Sequence, residues 1–191
     1  MLDIEISRVK IEDRESINEF FERVLIDTFR MNDISGLVDT LNDEIEDKRR
    51  CLDQDFESEG NDRCFLIAKD KNLVIGSVEY GPANELILSC TNGELKELNE
   101  IGTVFVHPDY QRKGIGSQLL ISMLLEMKRR GIEEFCLDSG YKIAQGIWTK
   151  RLGKPEYHLI DYWGKHADHM IWRKNIDEVL REINVSSYLR S

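Results

Sequence analysis

The segment from Gly114 to Gly131 constrains the fold of this chain more than any other. Apolar residues recur there at helical spacing and form one stripe: Leu119, Leu120, Met123, Leu124 and Met127. Lys128, Arg129 and Arg130 stand at the end of a helix where positive charge is stabilising, and Gly131 is a typical stop signal. The pattern predicts a helix from Gly114 to Arg130 with one buried face.

A strand is predicted on each side of this helix. Glu100 to Val106 forms the first strand and is closed by a turn at Pro108, and Ile132 to Asp138 is a short apolar run. A strand, a helix and a strand in this order predict a right-handed crossover.

The rest of the chain predicts a mixed α/β domain without a repeat or a flexible linker. Upstream we expect a strand, two helices, a polar loop and a hairpin: Ile4–Ile6, Glu12–Phe29, Leu37–Leu52, Asp53–Arg63, Cys64–Ala68 and Leu73–Tyr80. Residues 85–93 are ambiguous. Downstream we expect a short helix and two strands: Ile143–Leu152, Tyr157–Trp163 and His169–Arg173. These elements predict one domain over residues 1–175, followed by a charged tail over residues 176–191 with a helix at its start.

Length and composition exclude several classes of protein. With 41% hydrophobic and 32% charged residues in a chain of 191, a soluble globular domain is expected rather than a disordered chain. No apolar run is long enough to span a bilayer, so no membrane partner is expected. Met1 to Ile6 carries acids where a secretory signal has basic residues, so a cytoplasmic location is expected. The net charge of −10 repels phosphates and argues against a nucleic-acid partner.

The four cysteines do not predict a zinc site, and two of them predict buried thiols. None of them forms a C-x-x-C pair, and Cys64 and Cys136 stand in apolar runs that read as strands. His166 and His169 are three residues apart, but a turn explains them better than a metal pair does. We therefore expect no metal.

The turn before the long helix predicts an anion site. The first turn of a helix has unpaired N–H donors, and Gly114 and Gly116 allow a ligand to approach the backbone closely. Arg112 and Lys113 add positive charge. The order of residues does not fit a Walker A loop, and Leu119 replaces the third glycine of a dinucleotide fingerprint. On the glycines alone, a tight turn that binds nothing stays open.

The longer pattern, Val-x-Val-His-Pro-x-Tyr-Gln-x-x-Gly-x-Gly, resembles motif A of the GNAT superfamily of N-acetyltransferases. That motif reads [QR]-x-x-G-x-[GA], and this chain has Gln111-Arg112-Lys113-Gly114-Ile115-Gly116. The resemblance covers residues 1–175 and is strongest from Glu100 to Gly153. It implies a mixed α+β fold, with a central, mostly antiparallel twisted sheet of about six to seven strands flanked by helices and a splayed parallel pair of strands.

The resemblance also implies a cofactor and a reaction. Acetyl-CoA would be the co-substrate, and an amine would attack its acetyl group directly in a ternary complex. The backbone at Phe105 and Val106 would pair with the pantetheine arm. The pyrophosphate would lie on the turn and the helix start, at Gln111, Arg112, Lys113, Gly114, Ile115, Gly116 and Ser117.

Glu100 is the candidate general base, since a lysine-like amine has a pKa of about 10.4 and must lose a proton before it attacks. Strand alternation predicts that Glu100, Gly102, Val104 and Val106 share one face. The family often has a carboxylate at this place on its fourth strand. An ordinary acid that faces solvent is the alternative.

The proton donor departs from the pattern of the family. Many members have N-x-x-A-x-x-x-Y in the helix after the fifth strand, and here Tyr141, Ala144 and Trp148 stand at the corresponding positions. Trp148 has no acidic proton, so it cannot replace the tyrosine. Tyr141 is the nearest substitute by position. Tyr157 and Tyr162 are alternatives, and so is a thiolate that leaves unaided.

Other interpretations stay open. Trp148 also fits a non-catalytic acyl-CoA-binding or sensing module, and the phosphate turn does not distinguish acetyl-CoA from other acyl-CoA donors. His107 is expected to be structural. Residues 161–164 either line the substrate side or pack in the core. The acceptor amine is not identified, and exposed sheet edges lead us to expect a homodimer.

Overall fold

The computed structural model describes residues 4–183, which form seven strands and six α-helices. The strands are β1 (Ile4–Arg8), β2 (Cys64–Asp70), β3 (Leu73–Pro82), β4 (Asn99–Val106), β5 (Glu134–Ser139), β6 (Tyr157–Leu159) and β7 (His169–Asn175). The helices are α1 (Arg14–Met31), α2 (Val38–Glu57), α3 (Glu85–Cys90), α4 (Ile115–Arg129), α5 (Lys142–Leu152) and α6 (Ile176–Glu182).

The seven strands form one sheet in the order β1-β2-β3-β4-β5-β7-β6. β1 with β2, β2 with β3, β5 with β7 and β6 with β7 are antiparallel. β4 and β5 are parallel, and their ladder has two residue pairs, Asn99 with Phe135 and Glu100 with Cys136. The predicted fold class, a mixed α/β domain with a mostly antiparallel sheet and one parallel pair, is confirmed.

The chain divides into two compact units, each made of two segments. Unit 1 comprises Met1–Tyr80 and Thr103–Met123, and unit 2 comprises Gly81–Gly102 and Leu124–Ser191. β4 and α4 therefore contribute residues to both units. The prediction of one domain over residues 1–175 stays a prediction.

The core of unit 1 is built on the apolar face of α1. Phe20, Phe21 and Val24 recur at helical spacing and pack with Phe65 and Ile67 of β2. Each such side chain, when fully buried, contributes roughly 1.5–3 kcal/mol relative to an exposed position. This packing supports the strands that lead to the turn before α4.

The core of unit 2 includes Ile87 of α3, Cys136 of β5 and Ile171 of β7. Burial, helped by the carboxylates of Glu100 and Asp138, raises the pKa of Cys136 to about 12. Cys64 of unit 1 is also buried and is not part of a disulfide. Both cysteines are thus the buried thiols that the sequence predicts.

Two predicted boundaries are wrong, and one segment that the sequence left undecided is a helix. α2 continues to Glu57 instead of ending at Leu52, because Asp55 is fully buried and its carboxylate accepts hydrogen bonds from Arg8 and the Phe65 N–H. β6 ends at Leu159, because Asp161 adopts a left-handed conformation with φ 56° and the chain turns. Residues 85–90 are helical because the Asn84 side chain accepts the Ile87 N–H at 2.8 Å.

The C-terminal part agrees with the expected tail helix as far as the structure describes it. α6 spans Ile176–Glu182, and Asn175 caps it through bonds from the N–H groups of Asp177 and Glu178. Residues 184–191 of the predicted tail lie outside the described residues. Within residues 4–183, no helix is long and apolar enough to cross a membrane.

Candidate active site

The turn between β4 and α4 has two residues in the left-handed region. Arg112 has φ 61° and Gly114 has φ 84°. The N–H groups of Ser117 and Gln118 both donate to the Gly114 carbonyl, at 3.0 and 3.1 Å, so α4 begins directly after Gly114. A residue with a Cβ is strained in this conformation, and this explains the glycine at position 114.

Three N–H groups at this helix start are left without a protein partner. Across residues 4–183, no protein acceptor takes a hydrogen bond from the N–H of Gly114, Ile115 or Gly116. A Cβ built on Gly114 meets no atom within 4 Å, so the space beside it is open. Free donors at a helix start carry partial positive charge and form a site for an anion.

The other predicted residues of the turn surround these donors in different ways. The Gln111 side-chain amide donates to the Val106 carbonyl at 3.3 Å, and the Lys113 ammonium donates to the Asp109 carbonyl at 2.9 Å. The Arg112 side chain is exposed and makes no contact of this kind within the described part of the chain. Ile115 is buried, so it offers a ligand only its backbone, and Ser117 is buried too.

His107 anchors the start of the turn to α1. It is 4% exposed, its N–H donates to the Ile75 carbonyl at 2.9 Å, and its Nε2 lies 3.0 Å from Nη1 of Arg23. Burial and the Arg23 charge lower the pKa of His107. These contacts are compatible with the expected structural role, which stays a prediction.

β4 is interrupted by Thr103, which has φ 50° in the middle of the strand. Such a residue is typical of a bulge, which shifts the side chains that follow it. The alternation of burial holds from Glu100 to Val104, and the predicted alignment of Glu100, Gly102, Val104 and Val106 on one face stays a prediction beyond Thr103. No local sequence pattern signals the conformation of Thr103, because its hydrogen-bond partners lie on β3.

Phe105 and Val106 are half-buried, and both pack within unit 1. The Phe105 ring meets Phe21 of α1 edge-on at 6.4 Å. Val106 Cγ2 lies 3.4 Å from where a Cβ on Gly116 would be. That their backbone binds pantetheine stays a prediction.

Glu100 is bound to the start of α3 in unit 2. Its Oε2 accepts the Asn84 N–H at 2.9 Å, and its Oε1 accepts the Asn84 side-chain amide at 3.0 Å. The residue is half-buried. The carboxylate is thus held in one orientation by a residue that also caps a helix.

Tyr141 stands at the N-cap position of α5 and is half-buried. Its N–H donates to the Ser139 hydroxyl at 3.2 Å.

The two alternative tyrosines hold their protons more tightly than usual. A hydrogen bond to Glu94 and burial raise the pKa of Tyr157 to about 12, and a hydrogen bond to Cys90 raises the pKa of Tyr162.

Sequence reasoning missed a buried network at the start of β7. His169 is 2% exposed, its Nε2 lies 3.0 Å from Oδ2 of Asp138, and its Nδ1 accepts the Trp163 indole N–H at 3.2 Å. Because the indole N–H can only donate, Nδ1 is the accepting nitrogen of the ring and Nε2 faces the carboxylate. These residues are far apart in sequence, and no local spacing signals the network.

An open groove of about 750 Å³ lies beside α5 in unit 2. Lys142 and Lys150 of α5 line one side, and Asp161 and His166 of the β6–β7 loop line the other. The Asp161 N–H and His158 hold the pKa of Asp168 below its ordinary value. Within residues 4–183, no group of three or more His, Cys, Asp and Glu side chains is arranged to hold a metal ion.

Comparison with known proteins gives a family and a fold. The profile described as "Acetyltransferase (GNAT) family" matches residues 28–154. Comparison of the sequence with curated proteins gave no match.

Among solved structures, the chain is similar to the PaiA N-acetyltransferase of Thermoplasma acidophilum in complex with coenzyme A. That pair has a TM-score of 0.64 and 22% identity over 91% of this chain and 99% of the other. It is also similar to the ribosomal-protein-alanine N-acetyltransferase of Brucella melitensis, with a TM-score of 0.64 and 19% identity over 90% and 99%. A third is yncA of Salmonella typhimurium, a putative acetyltransferase with its cofactor acetyl-CoA, with a TM-score of 0.63 and 17% identity over 92% and 95%. At these identities the similarities show the fold.

Proposed function

The chain belongs to the acetyltransferase (GNAT) family, and on this premise we propose that it transfers an acetyl group from acetyl-CoA to the nitrogen of an amine. Acyl transfer from acetyl-CoA is the general activity of the family. The observation that supports this assignment for the present chain is the set of unpaired N–H groups at the start of α4.

The turn before α4 fits the diphosphate of coenzyme A. Gly114, Ile115 and Gly116 offer three N–H donors, and the space beside Gly114 is open. A diphosphate is doubly negative and multiply accepting, so it matches both the donors and the positive end of the helix. Arg112 adds an exposed positive charge. Two of the similar solved structures are described as containing coenzyme A or acetyl-CoA.

When bound, acetyl-CoA supplies a thioester whose carbonyl carbon an amine can attack. A C–N bond then forms, the C–S bond breaks, and the amine loses a proton. Glu100 would take that proton through a water molecule, since both of its oxygens already accept bonds from Asn84. Tyr141 would supply a proton to the departing thiolate.

The acceptor we propose is a cationic amine. The net charge of −10 attracts positively charged molecules in general. In unit 2, the side chains of Asp161, Tyr162 and Trp163 are exposed on the loop after β6. A carboxylate beside aromatic rings suits an ammonium group.

The test is thiol release from acetyl-CoA by the purified chain with a panel of amines, including small amines, polyamines and peptides. The proposal expects release that depends on the amine and yields the acetylated amine by mass spectrometry. Release at the same rate without any amine would contradict transfer to nitrogen.

A second candidate is a non-catalytic acyl-CoA sensor. Trp148 stands where many family members have a tyrosine, and the Glu100 carboxylate serves as part of a helix-start network. Calorimetry separates the two candidates. A sensor binds acetyl-CoA but releases no thiol with any amine of the panel, whereas the transferase does both.

A further inference from the structure

Thr103 is the most unusual backbone position in β4. It is β-branched, and such residues are genuine outliers in the left-handed region, yet its φ is 50°. A conformation of this kind is strained and persists only where the surroundings enforce it. Neighbouring residues must therefore hold it in place.

Two side chains of β3 do so. The Ser77 hydroxyl donates to the Thr103 carbonyl at 2.9 Å, and the Thr103 hydroxyl donates to Oε1 of Glu79. Ser77 and Glu79 are two residues apart, so they project from the same face of β3. All three side chains are almost completely buried, at 0%, 3% and 6% exposure for Ser77, Glu79 and Thr103.

A partly buried cation, Arg63, fixes the clamp that Ser77 and Glu79 form around Thr103. Arg63 Nη1 donates to Oε2 of Glu79 at 2.5 Å, so the carboxylate is used on both oxygens. Burial by itself lowers the pKa of Lys48, but the Glu79 charge and other nearby acids raise it above its ordinary value, which keeps a second cation beside the cluster. Burying these charges gains little stability on its own.

From this arrangement we infer that Ser77 and Glu79 are positioning residues, which hold the Thr103 bulge so that the backbone from Val104 to Val106 is set for the pantetheine arm of coenzyme A. The inference rests on the proposed function. It assigns a role to a buried ionic cluster that neither the family motif nor the phosphate turn uses. The clamp, the strand end and the turn all belong to unit 1.

The test compares two ligands that differ by the pantetheine arm. Coenzyme A contains the arm, and 3′-phosphoadenosine 5′-diphosphate lacks it but keeps the diphosphate. Calorimetry on the full chain gives the affinity for each. The ratio of the two affinities measures what the arm contributes.

Two variants disturb the clamp and two are controls. Thr103→Val removes the hydroxyl at constant shape, and Ser77→Ala removes the bond to the Thr103 carbonyl. Thr103→Ser keeps the hydroxyl. Thr91→Val removes an equally buried threonine hydroxyl in unit 2, which bonds the Ile87 carbonyl at 2.8 Å.

We expect the affinity for coenzyme A to fall about ten-fold in Thr103→Val and about five-fold in Ser77→Ala, as the loss of one or two hydrogen bonds implies. Affinity for 3′-phosphoadenosine 5′-diphosphate should stay within about two-fold in both. Thr103→Ser and Thr91→Val should keep the ratio of the unchanged chain. A purely structural clamp would lower thermal stability without moving the ratio.

An unchanged ratio in folded Ser77→Ala overturns the inference, whether or not Thr103→Val folds. If the unchanged chain still binds coenzyme A and 3′-phosphoadenosine 5′-diphosphate, that result contradicts only the role of the clamp and not the proposed function. If the unchanged chain binds neither ligand, the proposed function fails and the inference fails with it.

Discussion

The two units use their polar groups differently. In unit 1, the N–H groups of Gly114, Ile115 and Gly116 have no protein acceptor among the described residues. In unit 2, polar side chains are already engaged. The candidate base Glu100 bonds Asn84, and His169 bonds Asp138 and Trp163.

This difference separates binding from catalysis. A backbone donor that the fold leaves unpaired is satisfied by water or by a ligand, so it is available to an anion without any rearrangement of the protein. A side chain that is already hydrogen-bonded has a structural explanation, and its chemical role needs an independent measurement. The cofactor side of the proposal is thus better supported than the catalytic side.

The largest expected effect comes from Gly114→Val. The new side chain would fill the open space beside the helix start and strain a residue at φ 84°. We expect affinity for coenzyme A to fall by at least about 100-fold, because several charge-assisted bonds are lost together. Gly93→Val is the control, since Gly93 has φ 77° and equally open surroundings but lies in unit 2. Calorimetry measures both affinities. An equal loss of affinity for coenzyme A in Gly114→Val and Gly93→Val would contradict the assignment of the binding site to unit 1.

Glu100→Gln should lower turnover by about 100-fold, within the range of a lost general base. Affinity for coenzyme A should stay unchanged, because the carboxylate lies outside the phosphate turn. Glu134→Gln is the control, since Glu134 also begins a strand of unit 2 but pairs with the exposed Arg173. A pH–rate profile identical to that of the unchanged chain would remove Glu100 from the base role and leave it a structural carboxylate.

Tyr141→Phe should lower turnover about ten-fold, because a positioned acid contributes less where the thiolate is a good leaving group. Tyr157→Phe and Tyr162→Phe test the two alternative proton donors. The pKa of each of these phenols is raised. The three variants are compared by steady-state rates at saturating amine. A loss confined to Tyr162→Phe would move the acid to the β6–β7 loop.

The smallest effect concerns His107 of unit 1. Its pKa is lowered by burial and by Arg23, so the native chain binds fewer protons here than the unfolded chain does. Stability from this group is present above about pH 6.5, and it is lost as pH falls from there toward the lowered pKa. Urea unfolding from pH 7 to pH 5 should show this slope, and His107→Asn should flatten it. A slope that persists in the variant would assign it to another group.

Local patterns predicted the parts of the molecule that depend on neighbouring residues. The stripe of α4, the glycine turn before it and the order of strands were all predicted, because helical spacing and turn residues act over a few positions. The bulge at Thr103 was not, since its partners Ser77 and Glu79 are 26 and 24 residues away in sequence. The bond between His169 and Asp138 spans 31 residues and was missed for the same reason.

Neither unit is one continuous stretch of chain. Residues 81–102 of unit 2 separate the two pieces of unit 1, and residues 103–123 of unit 1 separate the two pieces of unit 2. On the ribosome, residues 1–80 must wait for Met123 to emerge before the unit to which they belong is complete. By then the first piece of unit 2 has also been made. No single proteolytic cut can release either unit whole, so half-length fragments should have to be mixed, rather than expressed alone, to regain the fold.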